Sequence, residues 1–310
     1  MSRASVDIRR LVELVEAFPR QTVAVLADLV ADEFVSGEIA RVSREAPVLI
    51  LRHRETQLLP GGGANAVNNL AALGARVLPV GVVGDDAAGR GLLEYFRRAK
   101  VDTRGIQRLR GWPTTTKTRF LAGWTHTTRQ QVLRVDREPE GGLPAAAVKR
   151  LERAARAAAS RAGALLLSDY GCGAVTPALA RKLRAPIVTL DSRYAMLDYA
   201  GCALTAATPN EPELEALYGQ RIGTNVARLE TLATRLQRKL RLAALLVTRG
   251  KDGMALFERG RPPVHIPVHG GDEVADVTGA GDTVIAVFTL ALAAGGSFSE
   301  AATLANYAGG

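Results

Sequence analysis

Cysteine, aromatic residues and long apolar runs are all scarce in this 310-residue chain. The two cysteines, Cys172 and Cys202, fall in no C-x-x-C or Cys/His spacing, so a metal finger, a redox motif and a disulfide framework have no support, and both are read as free thiols. The longest largely apolar run, Val284 to Ala294, is 11 residues, against the roughly 20 that a membrane-crossing helix requires. Aromatics make up 5% of the chain, and none is interleaved with the basic clusters at 97–110, 149–161 and 235–241. The net charge of +9 is therefore read as solvated helix faces, and nucleic acid is not expected as a partner. Proline (14) and glycine (31) are too few and too scattered for a collagen-like or low-complexity chain. Met1 to Arg10 mixes charges with isolated apolar residues, not the basic patch and apolar core of a secretory leader, so a cytosolic address is expected.

What is present is an ordinary globular composition, 47% apolar and 23% charged, long enough for one large α/β domain or two smaller ones. Short apolar runs at Thr22–Ala27, Arg76–Val83, Ala164–Ser168, Pro186–Asp191 and Ala243–Thr248 read as strands of a central parallel sheet. Helical patterns alternate with them at Ile8–Phe18, from Asn65 to Gly74, and at Ala88–Lys100 and Ala145–Arg161. Two more start near Gly281 and Ser297. This alternation predicts an α/β fold with three layers, helices on both faces of a mostly parallel sheet. Two β-rich stretches, about 34–60 and 114–137, interrupt the rhythm and predict a small inserted β-sheet, a lid on a single domain spanning 1–310. The alternative is that they are edge strands of the main sheet.

Two glycine-rich helix openings carry the chemistry. Asp276-Val277-Thr278-Gly279-Ala280-Gly281-Asp282-Thr283 runs directly into the apolar helix, and small residues there aim the amides of Gly279, Ala280 and Gly281 outward, where a helix N-terminus stabilises anions. Asp282 at that position either caps the helix or takes a proton from a bound nucleophile. Gly61-Gly62-Gly63-Ala64-Asn65 opens another helix, with Asn65 as a ligand donor or a cap. It satisfies G-x-G-x-x-A formally, but Pro60 stands where a dinucleotide fold needs a strand ending directly at the glycines. No Walker pattern is present.

Together, Gly61 to Asn65 with Gly74 and Gly84, and Asp276 to Asp282, resemble in order and separation the two signature segments of the ribokinase-like (PfkB) carbohydrate kinases. The resemblance extends from Val23 to Gly310. Within that family the segments Ile39 to Val48, Pro113 to Arg119, Leu133 to Asp136, Ser168-Asp169-Tyr170 and Gly281 to Val287 are similar to the heptose-7-phosphate kinases, the kinase part of bifunctional heptose kinase/adenylyltransferases.

The resemblance implies ATP-dependent phosphorylation of a sugar hydroxyl with ATP and Mg2+ as cofactors. Asp282 is then the proton acceptor, and the amides of Gly279, Ala280 and Gly281 carry the charge on the transferred phosphoryl. Asn210-Glu211-Pro212-Glu213 matches an N-x-x-E segment, whose Asn210 and Glu213 organise magnesium largely through water; alone it would also read as a helix start with an early acid. Thr248, Gly250 and Gly253 match the nucleotide-side T-x-G-x-x-G loop, which alone would read as a β-turn. Asp32 matches the residue that grips sugar hydroxyls, Asn65 and the backbone of Gly62 and Gly63 add donors, and Lys117, Arg119 and Arg134 are the partners expected for a distal phosphate.

The family pattern is altered at Gly171-Cys172-Gly173, where a lysine is usual, and at Arg193, which replaces a lysine. The expected substrate is D-glycero-D-manno-heptose 7-phosphate, converted to the 1,7-bisphosphate. Ribose or fructose 6-phosphate is the alternative within the class; a non-catalytic sugar- or nucleotide-binding descendant and a dinucleotide-dependent oxidoreductase are the rivals outside it. A homodimer formed through the lid is also expected.

Overall fold

The computed structural model describes residues 7–123, 129–269 and 279–309. Asp276, Val277 and Thr278 of the signature segment lie outside the described residues, as do 124–128 of the second β-rich stretch.

The chain opens with helix α1 (Ile8–Ala17), capped by the Asp7 carboxylate, and strand β1 (Thr22–Ala27). Strands β2 (Leu29–Val42) and β3 (Leu49–Gly62) follow, then α2 (Gly63–Ala72), β4 (Arg76–Gly84), α3 (Ala87–Arg98) and β5 (Ile106–Leu109). After β6 (Thr116–Gly123) and β7 (Gln130–Arg137) come α4 (Ala145–Ala159), β8 (Ala164–Asp169), the short α5 (Pro177–Ala180) and β9 (Ile187–Ser192). The last part holds β10 (Ala206–Ala207), α6 (Glu211–Tyr218), α7 (Val226–Leu240), β11 (Ala244–Thr248), β12 (Met254–Glu258), β13 (Val264–Ile266), α8 (Ala280–Ala293) and α9 (Phe298–Gly309).

Nine strands form one sheet in the order β13-β12-β11-β10-β9-β8-β1-β4-β5. From β11 to β5 the pairs are parallel; β12 and β13 add an antiparallel edge that the sequence reading did not contain. Alternate strand residues point to opposite faces, and each face is covered. Val23, Val25 and Leu166 join Leu70, Phe96 and Phe288 of the helices on one side. Ala24, Leu26, Leu165 and Leu167 join Leu151, Leu229 and Leu236 on the other. The three layers are thus those expected, and the strands are uninterrupted apolar runs because both of their faces are buried.

The two β-rich stretches form a second sheet, β3-β2-β6-β7, and are not edge strands of the first. That sheet starts at Leu29, not near residue 34, because a single residue, Asp28, separates β1 from β2. Pro60 lies within β3, which pairs with β2 and not with the parallel sheet, so no dinucleotide-type strand-turn-helix unit forms there. Both cysteines are free thiols. No described helix is long and apolar enough to cross a membrane.

Candidate active site

The parallel strands end together, and the residues that leave those ends (Asp28 after β1, Tyr170 after β8, Arg193 after β9, Thr208 after β10) surround the place where open α/β sheets take their ligands. Into the same region points the first turn of α8. Gly279 caps this helix in the left-handed conformation (φ 87°), and a Cβ there would lie 2.6 Å from Asn65 Nδ2, so both backbone and space require glycine. Ten residues of α8 are buried, which anchors the helix and leaves its first-turn amides without intrahelical acceptors. Beside Gly281 the space is open: apart from its chain neighbours and its own helix backbone, no atom of the described residues lies within 4 Å of where its Cβ would be.

Asp282, 4% exposed, has both carboxylate oxygens held. The Tyr170 hydroxyl donates to Oδ1 at 2.6 Å and Asn65 Nδ2 donates to Oδ2 at 3.0 Å. Burial raises its pKa to about 6, while the Tyr170 and Asn65 donors oppose that rise, Asp32 adds to it and Lys117 subtracts from it. Such a group changes protonation near neutral pH, as a proton acceptor must. A second tie, Asn69 Nδ2 to Thr283 Oγ1 at 3.0 Å, locks α2 to α8.

Tyr170 and Asp28 are functional neighbours that the sequence reading did not place in the site. The Asp28 carboxylate, almost fully buried, accepts four backbone amides from the segment after β8: Tyr170 and Cys172 on Oδ2, Ala174 and Val175 on Oδ1, at 2.9 to 3.3 Å. Burial lifts its pKa to about 6 even against those donors. Asp28 therefore shapes the segment that carries Tyr170 to Asp282. The sequence signals were an aspartate immediately after an apolar strand and a tyrosine in the Ser168-Asp169-Tyr170 segment, and neither carried a role.

One face of the second sheet carries Asp32 and Phe34 on β2, Lys117 and Arg119 on β6, and Arg134 and Asp136 on β7, by the pairing register. Arg119 does not stand free for a phosphate: it donates to Asp32 Oδ1 at 2.6 Å, with both side chains about seven-eighths buried, and lies over the Phe34 ring. Arg134 pairs with Asp136. Lys117 Nζ lies 5.6 Å from the centre of the Tyr170 ring, and its pKa is lowered by burial and then by the neighbouring charges of Arg193 and Arg134. Three cations and two carboxylates thus share this face of the sheet, and of them Lys117 and Asp32 act on the charge of Asp282. The glycines at 61–63 make room for protein, not for open backbone. A Cβ on Gly61 would lie 2.4 Å from Asp32 Oδ2, and one on Gly62 or Gly63 would meet Val30 and Tyr170, or Ala27 and the Asp28 carbonyl.

Asn210 and Glu213 form a reciprocal cap at the start of α6: Glu213 N donates to Asn210 Oδ1 at 2.7 Å and Asn210 N to Glu213 Oε2 at 2.9 Å. Thr248 bridges to Asn210 across the neighbouring strand end, and Gly250 and Gly253 shape the turn into β12. Burial raises the Glu213 pKa, and Asp191 is raised well above its ordinary value, first by burial and then by Asp282, Glu213 and Asp169. Thr208 Oγ1 is buried there without a hydrogen-bond partner among the described residues. Mutually repelling carboxyls beside an orphaned hydroxyl fit a hydrated divalent cation. Among the described residues no three His, Cys, Asp or Glu side chains are placed to ligate a metal directly, so the fit is to an ion that keeps its water, as magnesium does.

A buried carboxylate beside a helix N-terminus faces a cation-bearing sheet across the ends of a parallel sheet, an arrangement with the parts that phosphoryl transfer requires. The chain belongs to the pfkB family of carbohydrate kinases, whose pattern matches residues 30–310, and it is a sugar kinase. It is 39% identical to the bifunctional protein HldE of Geobacter metallireducens over 97% of its own length and 61% of that protein's. It is 39% identical to the same-named protein of Pseudomonas aeruginosa strain UCBPP-PA14 over 94% of its length and 60% of the relative's. The chain thus spans about three-fifths of the length of these curated relatives. Its fold is that of the Arabidopsis thaliana ribokinase solved with ribose and ATP (TM-score 0.71, 21% identity, covering 93% of this chain and 91% of that one). The Escherichia coli phosphofructokinase-2 solved with substrates and products is similar too (TM-score 0.72, 17% identity, 93% and 92% covered).

Proposed function

We propose that this kinase transfers the γ-phosphoryl of ATP to the anomeric hydroxyl of a sugar already phosphorylated at its far end, heptose 7-phosphate. The observation that carries this reading is that Lys117 on the second sheet, close enough to Asp282 to act on its charge, has Arg193 and Arg134 as neighbouring cations that lower its own pKa. A neutral sugar gives three crowded cations no reason to be there; a phosphate dianion does. The segments similar to heptose-7-phosphate kinases select the sugar.

In the reaction the hydroxyl proton passes to an Asp282 oxygen as the sugar oxygen bonds to the γ-phosphorus and the bond to the β-phosphate oxygen breaks, releasing ADP. The amides of Gly279, Ala280 and Gly281 hold the phosphoryl oxygens, Asp32 and Asn65 hold sugar hydroxyls, and Asn210, Thr248, Gly250 and Gly253 border the nucleotide. Asn210 and Glu213 would hold a hydrated magnesium ion, which when bound would supply neutralising positive charge to the nucleotide. Free thiols and the choice of ATP and a sugar phosphate as substrates are in keeping with a cytoplasmic setting.

An ATP-consumption screen over free and phosphorylated sugars tests this. Activity on heptose 7-phosphate supports it, and activity confined to unphosphorylated sugars overturns it. Lys117→Ala is expected to raise the KM for the phosphosugar about tenfold or more, the loss of one charge-assisted contact, with the KM for ATP unchanged. The second sheet also exposes Leu133 and Val135 on β7 and Val42 and Leu49 on the hairpin, and we read this as the pairing surface of a homodimer. Light scattering should show twice the monomer mass; a monomer removes this part of the proposal.

A further inference from the structure

We propose that Tyr170 is the positioning residue of the proton acceptor: its hydroxyl, placed by the segment that Asp28 anchors, aims the Asp282 carboxylate and stabilises its negative charge. The proposal rests on the reading of Asp282 as that acceptor.

Four contacts fix the ring. Tyr170 N is tied to Asp28 Oδ2 at 2.9 Å and Tyr170 Oη to Asp282 Oδ1 at 2.6 Å. A Cβ on Gly62 would lie 3.4 Å from the ring carbons, so the glycine leaves the space the ring uses. Lys117 lies within cation-π range of the ring. Tyr170 is therefore held at both ends, and the hydroxyl has a single direction in which to donate. Burial and the charges of Asp282 and Asp191 push its own ionisation far above the ordinary tyrosine range, so it remains a donor at every working pH.

The groups that face Asp282 come from five elements: Asp32 on β2, Lys117 on β6, Tyr170 after β8, Asp191 on β9 and Asn65 on α2. Two of them are carboxyls that disfavour a further negative charge. Lys117, Asn65 and Tyr170 favour it, and of the two hydrogen bonds Tyr170 makes the shorter. A short hydrogen bond to the charged form lowers the pKa of a carboxyl, so its loss raises it.

Tyr170→Phe keeps the ring over Gly62 and under Lys117 and removes only the hydroxyl. Two measurements test the proposal. In 13C-labelled protein the Asp282 carboxyl, identified by its absence in Asp282→Asn, is expected to titrate about one pH unit higher in Tyr170→Phe than in the wild type. The acid limb of kcat should move upward by the same amount. The variant should then be about fivefold slower near pH 6 and about tenfold slower below pH 5, recover above pH 8, and keep its sugar KM. Tyr170→Leu, which also removes the ring, should add a loss of thermal stability that Tyr170→Phe does not show. An active Tyr170→Phe enzyme with both titrations at wild-type values overturns the positioning role and leaves the kinase reading intact. A shifted carboxyl titration in a protein that phosphorylates no sugar overturns the kinase reading and leaves the Tyr170 contact standing.

Discussion

Asp282→Asn is expected to lower kcat by about 10²- to 10⁴-fold, the range of a positioned proton acceptor, while ATP and sugar still bind with near wild-type affinity. The substitution preserves shape. The new amide oxygen can accept from Asn65, and its NH2 can donate to the Tyr170 oxygen, which accepts as well as it donates. What is lost is the capacity to take the hydroxyl proton. ADP release measured beside equilibrium binding checks this, and near wild-type kcat in the variant would reassign the base. The same change should stabilise the fold at neutral pH. The folded-state pKa of Asp282 is about 6 against an ordinary 3.8, so between about pH 4 and pH 6 the folded protein holds a proton that the unfolded chain has lost. Wild-type stability therefore falls as pH rises through that window, by about 3 kcal/mol from this one group. Asparagine has no such titration. The variant is expected to melt near the wild-type temperature at pH 4 and above it at pH 7.5; a lower melting temperature at pH 7.5 would mean that the ionised carboxylate stabilises the fold.

Lower activity with higher stability follows from where the fold puts its charges, and much of that placement was readable from the chain. The parallel strands were legible at Thr22–Ala27, Ala164–Asp169 and Ala244–Thr248 because a strand buried on both faces is an uninterrupted apolar run. α8 was legible because an apolar helix behind small residues has few other interpretations. The start of the second sheet was not. Leu29 to Asp32 continues an apolar run, and nothing local marks the change of sheet at Asp28. The antiparallel edge of β12 and β13 was missed because two short strands around a turn read as loop.

In the site, Asp282, Gly279 and Asn65 were legible from glycine-rich helix openings. Asp28 and Tyr170 were not, because their meanings lie in partners 142 and 112 residues away. Arg119 shows a different limit. Lys117 and Arg119 share one strand face, and the family resemblance with the need for cationic donors assigned both to phosphate; the longer guanidinium reaches back to Asp32, which the register sets beside Lys117. Arg119 is therefore engaged by the Asp32 carboxylate and Arg134 by Asp136, and in the proposed reading Lys117 is the cation of this sheet that meets the anion first.

Asp28→Ala should be the most damaging single change to stability, costing about 3 kcal/mol or more, since it strands four amides, two buried and two half-buried, that have one carboxylate as acceptor. Each amide left dry costs a desolvation penalty, and the sum is reduced only as far as the segment can move to find water. That movement carries Tyr170 away from Asp282, so activity should fall beyond what partial unfolding explains, with the acid limb of kcat displaced upward as in Tyr170→Phe. Asp28→Asn retains one oxygen, enough for the amides on one side of the carboxylate, and should be intermediate in both respects. Urea unfolding and kcat against pH, measured on the same preparations, separate the two effects. Wild-type stability in Asp28→Ala would show that the four amides find other acceptors. Lost stability with an unmoved acid limb would show that the segment holds Tyr170 in place without Asp28. If stability falls and the acid limb moves together, a carboxylate that meets no substrate governs the protonation of one that does, through four amides and a phenol.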